Sequence, residues 1–336
     1  MTRRHPTPPA RLWPWLLGLI LLVPVAVQAA PSGPEAWLTG ELGHMPAALS
    51  YQMEFHPDQR LSNHAGELGF TQHDLRGAAP LWQSSSNDLA LLGRARYQDL
   101  DTTASLPSGK ALPSGLWDLG LSAQFRHRLD GGAVLGLSLR AGSASDKPLY
   151  ADNVMQYGAT AFTRLPGGQD GHWLLLVNYD NNREIIEGVP FMPGAGYWYH
   201  PSARFQVLAG VPFSSLSLRP LPDLDLSLSY VMVRTLRARA TYHVNKPLSL
   251  YTGFEMFQQS YFLADRAHTE NRLFFYQKRA LAGAALDLGR GLVLDVSGGW
   301  AFDQFFFEGE NYGDRWQDRL SLEDGVFFGG QLGYRF

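Results

Sequence analysis

The chain has 336 residues, a formal net charge of -3 and no cysteine. Its 28 basic and 31 acidic residues are interspersed, which leaves no basic face for a nucleic-acid partner. Disulfides and thiolate metal ligands are excluded, so the fold has to rest on packing and backbone pairing.

At the N-terminus Arg3, Arg4 and Arg11 precede an apolar run from Leu12 to Val27 that ends in Val-Gln-Ala-Ala. A basic region, an apolar core and small residues at a cleavage point form a secretory signal peptide, expected to occupy residues 1–29. As a membrane anchor the run is short and flanked by prolines. Residues 30–43 are expected to form a periplasmic N-terminal segment, and 44–336 a single barrel domain.

Beyond that point no apolar stretch is long enough to span a bilayer as a helix. The apolar residues instead recur at every second position, as in strands with one face in an apolar medium. Trp117, Leu119, Leu121, Ala123, Phe125, His127 and Leu129 share one parity, and Asp118, Gly120, Ser122, Gln124, Arg126 and Arg128 the other. Asp130-Gly131-Gly132 then supplies a tight turn, after which Leu135, Leu137 and Leu139 oppose Gly136, Ser138 and Arg140. The pattern returns at 172–181, at 224–244 with Arg237, Arg239, Thr241 and His243 on the polar face, and from Leu248 after the Asn-Lys-Pro turn. It continues through 280–286 and 292–302, and the chain closes on Val326, Phe328, Gly330, Leu332, Tyr334 and Phe336.

Charge, serine and glycine on the polar faces suit a wide wet lumen, whereas a soluble barrel or a periplasmic sandwich would turn its apolar face inward. Only a closed sheet pairs every backbone group in a bilayer. The fold class is therefore all-β, a transmembrane antiparallel up-and-down β-barrel of about 14 strands, with 12 as the alternative. The strands are expected at 44–55, 64–75, 87–98, 116–129, 133–142, 153–163, 172–181, 203–212, 224–233, 236–244, 248–258, 271–287, 291–304 and 325–336. Long connections at 99–115, 143–152, 182–202, 259–270 and 305–323 alternate with short turns, which puts the long ones outside the cell.

By parity the residues expected to line the lumen are Arg94, Arg96, Arg126, Arg128, Arg140, Asp225, Arg237, Arg239, His243, Glu255, Asp295 and Asp303. The loop 182–202 holds Phe191, Met192, Tyr197, Trp198 and Tyr199, which could fold inward as a constriction or a ligand loop. Phe305, Phe306 and Phe307, followed by Glu308, Glu310, Asp314 and Asp318, read as an aromatic and acidic surface loop. No spacing there selects a coordination geometry, so neither metal nor cofactor is expected. No glycine-serine elbow, phosphate loop or zinc helix is present. No catalytic residue is assigned, and His243 and Glu255 are the first to test against that view.

Gly-Val-Pro-Phe at 188–191 and 210–213, Leu-Arg-Pro-Leu-Pro-Asp at 218–223, Phe-Phe-Tyr-Gln-Lys-Arg at 274–279 and Gly-Gly-Trp-Ala-Phe at 298–302 resemble an uncharacterised family of bacterial outer-membrane β-barrels, the domain of unknown function numbered 6268. The resemblance implies fold and location, and no substrate. The terminal strand resembles the closing strand that the barrel assembly machinery recognises through its last aromatic residue, here Phe336.

The function expected is diffusion of small solutes through the bacterial outer membrane, in contact with its lipid and lipopolysaccharide. The alternatives are a closed structural or ligand-binding barrel and an outer-membrane lipid-modifying enzyme, a hydrolase or acyltransferase.

Overall fold

The structure, a computed structural model, describes residues 34–62, 65–182, 191–232, 234–266, 268–316 and 318–336. The expected signal segment lies outside the described residues. The first strands are β1 (Ala48–Arg60), β2 (Glu67–Gln83), β3 (Asn87–Thr102), β4 (Gly115–Arg128), β5 (Val134–Ser145), β6 (Met155–Pro166), β7 (Gly171–Asp180) and β8 (Phe191–Ser202). They are followed by β9 (Phe205–Val211), β10 (Phe213–Leu221), β11 (Leu224–Val231), β12 (Thr235–His243) and β13 (Leu248–Tyr261). The chain ends with β14 (Arg272–Gly289), β15 (Leu292–Gly309), β16 (Leu320–Leu322) and β17 (Gly325–Arg335).

Each strand from β1 to β15 pairs antiparallel with the next, and β17 closes the ring by pairing with both β15 and β1, from Ala48 opposite Arg335 to Phe55 opposite Phe328. The three residues of β16 pair with β15 beyond β17, at the loop end of the same stave. Among the described residues the wall therefore has sixteen strands, not 14 or 12. Sixteen is even, so both ends of the barrel domain lie at one rim, where the Phe336 N–H donates to the Ala47 carbonyl at 3.0 Å. We call this the terminal end and the opposite rim the loop end.

The two strands missing from the expected set are β8 and β10. The Phe191–Ser202 segment reads as a loop because Pro193, Gly194, Gly196 and Pro201 punctuate it, yet it pairs with β7 from Tyr179 opposite Phe191 to Gly171 opposite Tyr199. The polar serines of β10 hide its alternation, and Val211-Pro212 joins it to β9. Because the missing strands flank β9, they reverse the expected direction of β9 alone and leave that of every other strand unchanged. The aromatic run at 305–307 is also wall and not loop, since β15 continues to Gly309.

Which face is outward follows from exposure. Leu135, Leu137 and Leu139, like Leu49, Tyr51, Met53 and Phe55, are exposed at period two, and the alternate residues turn inward. Tyr51, His73, Tyr97 and Trp117 make a row of rings across β1–β4, and Tyr334 and Phe336 lie edge to face at the terminal end. An apolar girdle of this extent is stable only in an apolar solvent.

The interior is filled at its two ends. At the terminal end a helical turn, α1 (Pro34–Thr39), and the residues after it enter the lumen. There Trp37, Leu38 and Leu42 are buried against Val134, Phe162, Leu174 and Leu208. Trp37 meets Phe162 edge to face with ring centroids 4.7 Å apart. At the loop end Leu68, Phe70, Leu100, Leu116, Phe275 and Phe306 pack inside the wall with Leu106 and Leu112 of an infolded connection. The chain leaving β13 crosses the mouth: Phe262 N–H donates to Ala144 O at 2.7 Å, and Ser145 and Phe262 form a parallel bridge to β5 on the far wall. That crossbar leaves the apolar plug on the side of β1–β4 and β14–β17.

Candidate functional site in the barrel lumen

Between these two plugs the inner wall is polar, and its charges are organised around arginines. On β2 and β3, Asp74 accepts from Arg76 (Nη2 2.8 Å), Arg94 (Nη2 2.9 Å) and Arg96 (Nη2 3.1 Å). Arg94 also reaches Asp118 on β4 at 3.2 Å. Toward the other side, Arg279 of β14 bridges Glu54 at 2.7 Å and Glu255 at 2.6 Å. Arg140 pairs with Asp180. Backbone register puts these groups together: Asp74 lies opposite Arg96 and Arg76 opposite Arg94, while Arg237, Glu255 and Arg279 lie level on β12, β13 and β14.

Arg237 approaches Glu255 only to 3.9 Å, and Arg239 approaches Asp295 to 3.6 Å while lying over the Tyr251 ring, 3.5 Å from its centroid. The side chains of Arg76, Arg237 and Arg239 are 43, 44 and 45 % exposed, whereas those of Asp74 and Glu54 are 1 and 5 % exposed. The guanidinium groups are open to the inside of the barrel, and Glu255 and Asp295, the acids beside Arg237 and Arg239, are 23 and 22 % exposed.

Arg126 and Arg164 serve the N-terminal segment. Arg126 Nη1 donates to Trp37 O at 3.1 Å and Gly40 O at 2.8 Å, Nη2 donates to Glu41 O at 3.0 Å, and the same guanidinium pairs with Asp88. Arg164 Nη1 donates to Leu38 O at 3.1 Å, Thr39 O at 2.7 Å and Gly40 O at 3.3 Å. Two cations thus cap the free carbonyls at the end of the helical turn, where the backbone partial charge is negative. Asp88 also accepts Gly43 N–H at 2.6 Å. Arg128 lies exposed at the terminal rim opposite Val134.

Of the five aromatic and apolar residues expected in a constriction loop, all belong to β8. Trp198 faces inward, stacked on His200 at 3.8 Å and beside Arg164, and Met192 shares its parity. Phe191, Tyr197 and Tyr199 are on the outer parity; Tyr197 meets Trp173 and donates to Gly167 O at 2.9 Å. Asp303 is not on the lumen side either. A bulge between Lys278 and Tyr276 inserts an extra residue in β15, Asp303 takes φ 49°, and its carboxylate pairs at 2.7 Å with Lys278 on the outer parity. Gln304 takes the inward place and bonds Gln277 and Gln59. Asp314 of the acidic connection accepts N–H groups of Glu310 and Asn311 at 2.9 and 3.3 Å, an internal turn.

At the terminal end His243 bonds Ser249 through Nδ1 at 2.9 Å and Asp225 through Nε2 at 2.8 Å. The three residue types are those of a hydrolytic triad. Asp225 is already held by Arg219 in a two-pronged pair, at 2.5 and 2.9 Å. Nearby N–H groups of His243, Val244, Asn245 and Leu248 are committed to turn and ladder bonds, so none of these four is free to face an oxyanion. The cluster is a polar anchor for the β12–β13 turn. Among the described residues no group of three or more His, Asp or Glu could hold a metal.

The residues expected to line the lumen leave out Arg76, Arg164, Arg279, Asp74, Glu54, Asp88 and Asp118, all of which the structure turns inward. Asp118 shares the polar parity of Arg126 in the 117–129 alternation, whereas Glu54 and Asp74 are obscured by the weak alternation before residue 98.

No family model and no curated protein matches the chain. Among solved structures it is similar to an outer-membrane channel of Pseudomonas putida F1, at 12 % identity and TM-score 0.40, covering 88 % of this chain and 98 % of that one. It is also similar to the Pseudomonas putida toluene transporter TodX, at 7 % identity and TM-score 0.40, covering 94 % and 95 %. A third is the β domain of the Bordetella autotransporter BrkA, at 13 % identity and TM-score 0.33, covering 87 % and 100 %. At these values nothing about function is transferred, and the barrel rests on its own strand pairings.

Proposed function

We propose that the protein is a bacterial outer-membrane channel for small hydrophilic solutes, restricted at the terminal end by residues 34–46 and at the loop end by the crossbar and the apolar plug. The observation that supports passage is the trio Arg76, Arg237 and Arg239, each more than two-fifths exposed although turned into a closed wall. Groups in that condition need water beside them, because an unpaired buried cation is prohibitively costly. Sixteen strands also leave an interior wider than side chains alone fill. At the loop end the open side is that of β6–β12, opposite the apolar plug, whereas at the terminal end the N-terminal segment packs on β5, β6, β7 and β9.

The outward apolar girdle and the signal-like N-terminus support the location, with lipid and lipopolysaccharide as neighbours. Insertion through the assembly machinery by the strand ending at Phe336 belongs to the same reading. Kinship with the 6268 family rests on its short matching segments alone.

A second reading, a closed structural or ligand-binding barrel, is favoured by the two interior plugs. Planar-bilayer recording of the folded protein separates them. Stepwise conductance supports the channel; a correctly inserted protein that stays silent over a range of voltages contradicts it.

A further inference from the structure

The ion pairs of the lumen are lopsided, and Arg237 and Arg239 are the extreme case. Among the described residues neither guanidinium makes a hydrogen bond. Each guanidinium carries five N–H donors, and their nearest carboxylates stand 3.9 and 3.6 Å away and are better occupied elsewhere. Glu255 is held by Arg279 at 2.6 Å, and Asp295 accepts the Tyr251 hydroxyl. On β11 the wall beside them is uncharged, with Ser229 opposite Arg237 and Ser227 opposite Arg239; on β13 Arg237 faces Glu255, which Arg279 already holds, and Arg239 faces Gly253. Across the bore, Arg237 has Arg76 and Arg96 among its charged neighbours, with Arg279 on its own side. Arg76 and Arg96 share the single carboxylate of Asp74 with Arg94. On the β12 side Asp225 is the remaining acid, and Arg219 neutralises it. Guanidinium N–H donors therefore dominate the open surface of this cross-section, since Arg76, Arg237 and Arg239 are about twice as exposed as Glu255 and Asp295, although the chain as a whole is slightly acidic.

We propose that Arg237 and Arg239, faced by Arg76, form an anion-selecting site in the lumen that takes small oxyanions such as carboxylates and phosphate. Planar guanidinium forks match two-oxygen acceptors, and their long flexible stems allow a solute to be handed along the wall. Two arginines one step apart on one strand, both facing the bore, give a permeating anion successive contacts, and neither contact is tight enough to trap it. The site deepens the channel reading, but anion binding can be tested without conduction.

Two variants keep the fold intact. In Arg237→Gln/Arg239→Gln, Glu255 retains Arg279 and Asp295 retains Tyr251, so no buried carboxylate is orphaned; Arg237→Lys/Arg239→Lys keeps the charge. Folding is verified by heat-modifiable electrophoretic mobility. The first arm records chloride-35 line broadening by the detergent-folded full chain and its reversal by inorganic phosphate. The wild type and the lysine variant are expected to show phosphate-displaceable broadening, and the glutamine variant to lose most of it; equal broadening in all three overturns the proposal. The second arm measures reversal potential across a potassium chloride gradient. Coulomb interaction at about 5 Å in water raises local anion concentration and lowers local cation concentration roughly fourfold each per charge, about 250-fold in their ratio for two charges unscreened. With screening by the salt, the loss of both is expected to lower the anion-to-cation permeability ratio by at least about tenfold. A cation-preferring wild type, or a ratio unchanged in the glutamine variant, overturns it. A silent bilayer with phosphate-displaceable chloride binding refutes the channel reading and leaves the anion site standing.

Discussion

Arg164→Ala isolates the hold of the wall on the N-terminal segment. Arg164 spends one nitrogen, Nη1, on the carbonyls of Leu38, Thr39 and Gly40, with no carboxylate bonded to it. That nitrogen has two hydrogens, so the three acceptors amount to two effective charge-assisted bonds. Since the freed carbonyls regain water once the segment leaves, their loss costs about 2–3 kcal/mol of docking free energy. The population of the undocked segment then rises roughly 30- to 150-fold. Trp37, Leu38 and Leu42 are chymotrypsin sites within the segment, buried while it is docked. Cleavage of a transiently opened segment follows its equilibrium population when reclosing is fast. Chymotrypsin is therefore expected to trim the folded variant after residues 37–42 at a rate higher by that factor, leaving the barrel uncut, as read by intact mass. A rate within twofold of wild type would show that Arg164 does not hold the segment and refute the capping argument.

Arg279→Ala removes the cation shared by buried Glu54 and by Glu255. It is expected to destabilise the barrel by about 3–5 kcal/mol, measured as a lower urea midpoint for unfolding from vesicles; Arg237→Ala, whose ion pair is long and wet, should cost no more than about 1 kcal/mol in the same assay. Leu137→Arg, on the outward face of β5, should lose about 2–4 kcal/mol of folding stability in vesicles. Ser138→Arg, its inward neighbour, should be nearly neutral, and equal penalties would contradict the assigned faces.

Much of the wall was legible because period two survives wherever one face meets an apolar medium. The Trp117–Leu129 alternation and its Gly-Gly turn reappear as β4 and the hairpin into β5, with Gly132 at φ 80°. Proline and glycine defeated the pattern in β8: Pro193 and Gly194 look like a turn locally, but the neighbouring strands β7 and β9 supply the pairing that keeps them extended. A single bulge was enough to reverse Asp303, since parity carries no information past an inserted residue. The lumen-filling segment was the least legible part. Trp37, Leu38 and Leu42 are an apolar patch in a short polar stretch, but their partners Val134, Phe162, Leu174 and Leu208 come from four strands, and only the closed ring brings those strands around them. Likewise, alternation identified Arg126 and Arg237 as polar-face residues, yet gave no means of separating a clamp for backbone carbonyls from a guanidinium open to water.

Single-channel conductance compared between the chain from residue 30 onward and the same chain lacking residues 34–46 tests the central claim, a wet lumen restricted by its own N-terminal segment. Both forms are expected to give discrete steps in 1 M salt, larger or more frequent in the shortened form. Folded, inserted protein that is silent in both forms, or steps indifferent to the deletion, would contradict it.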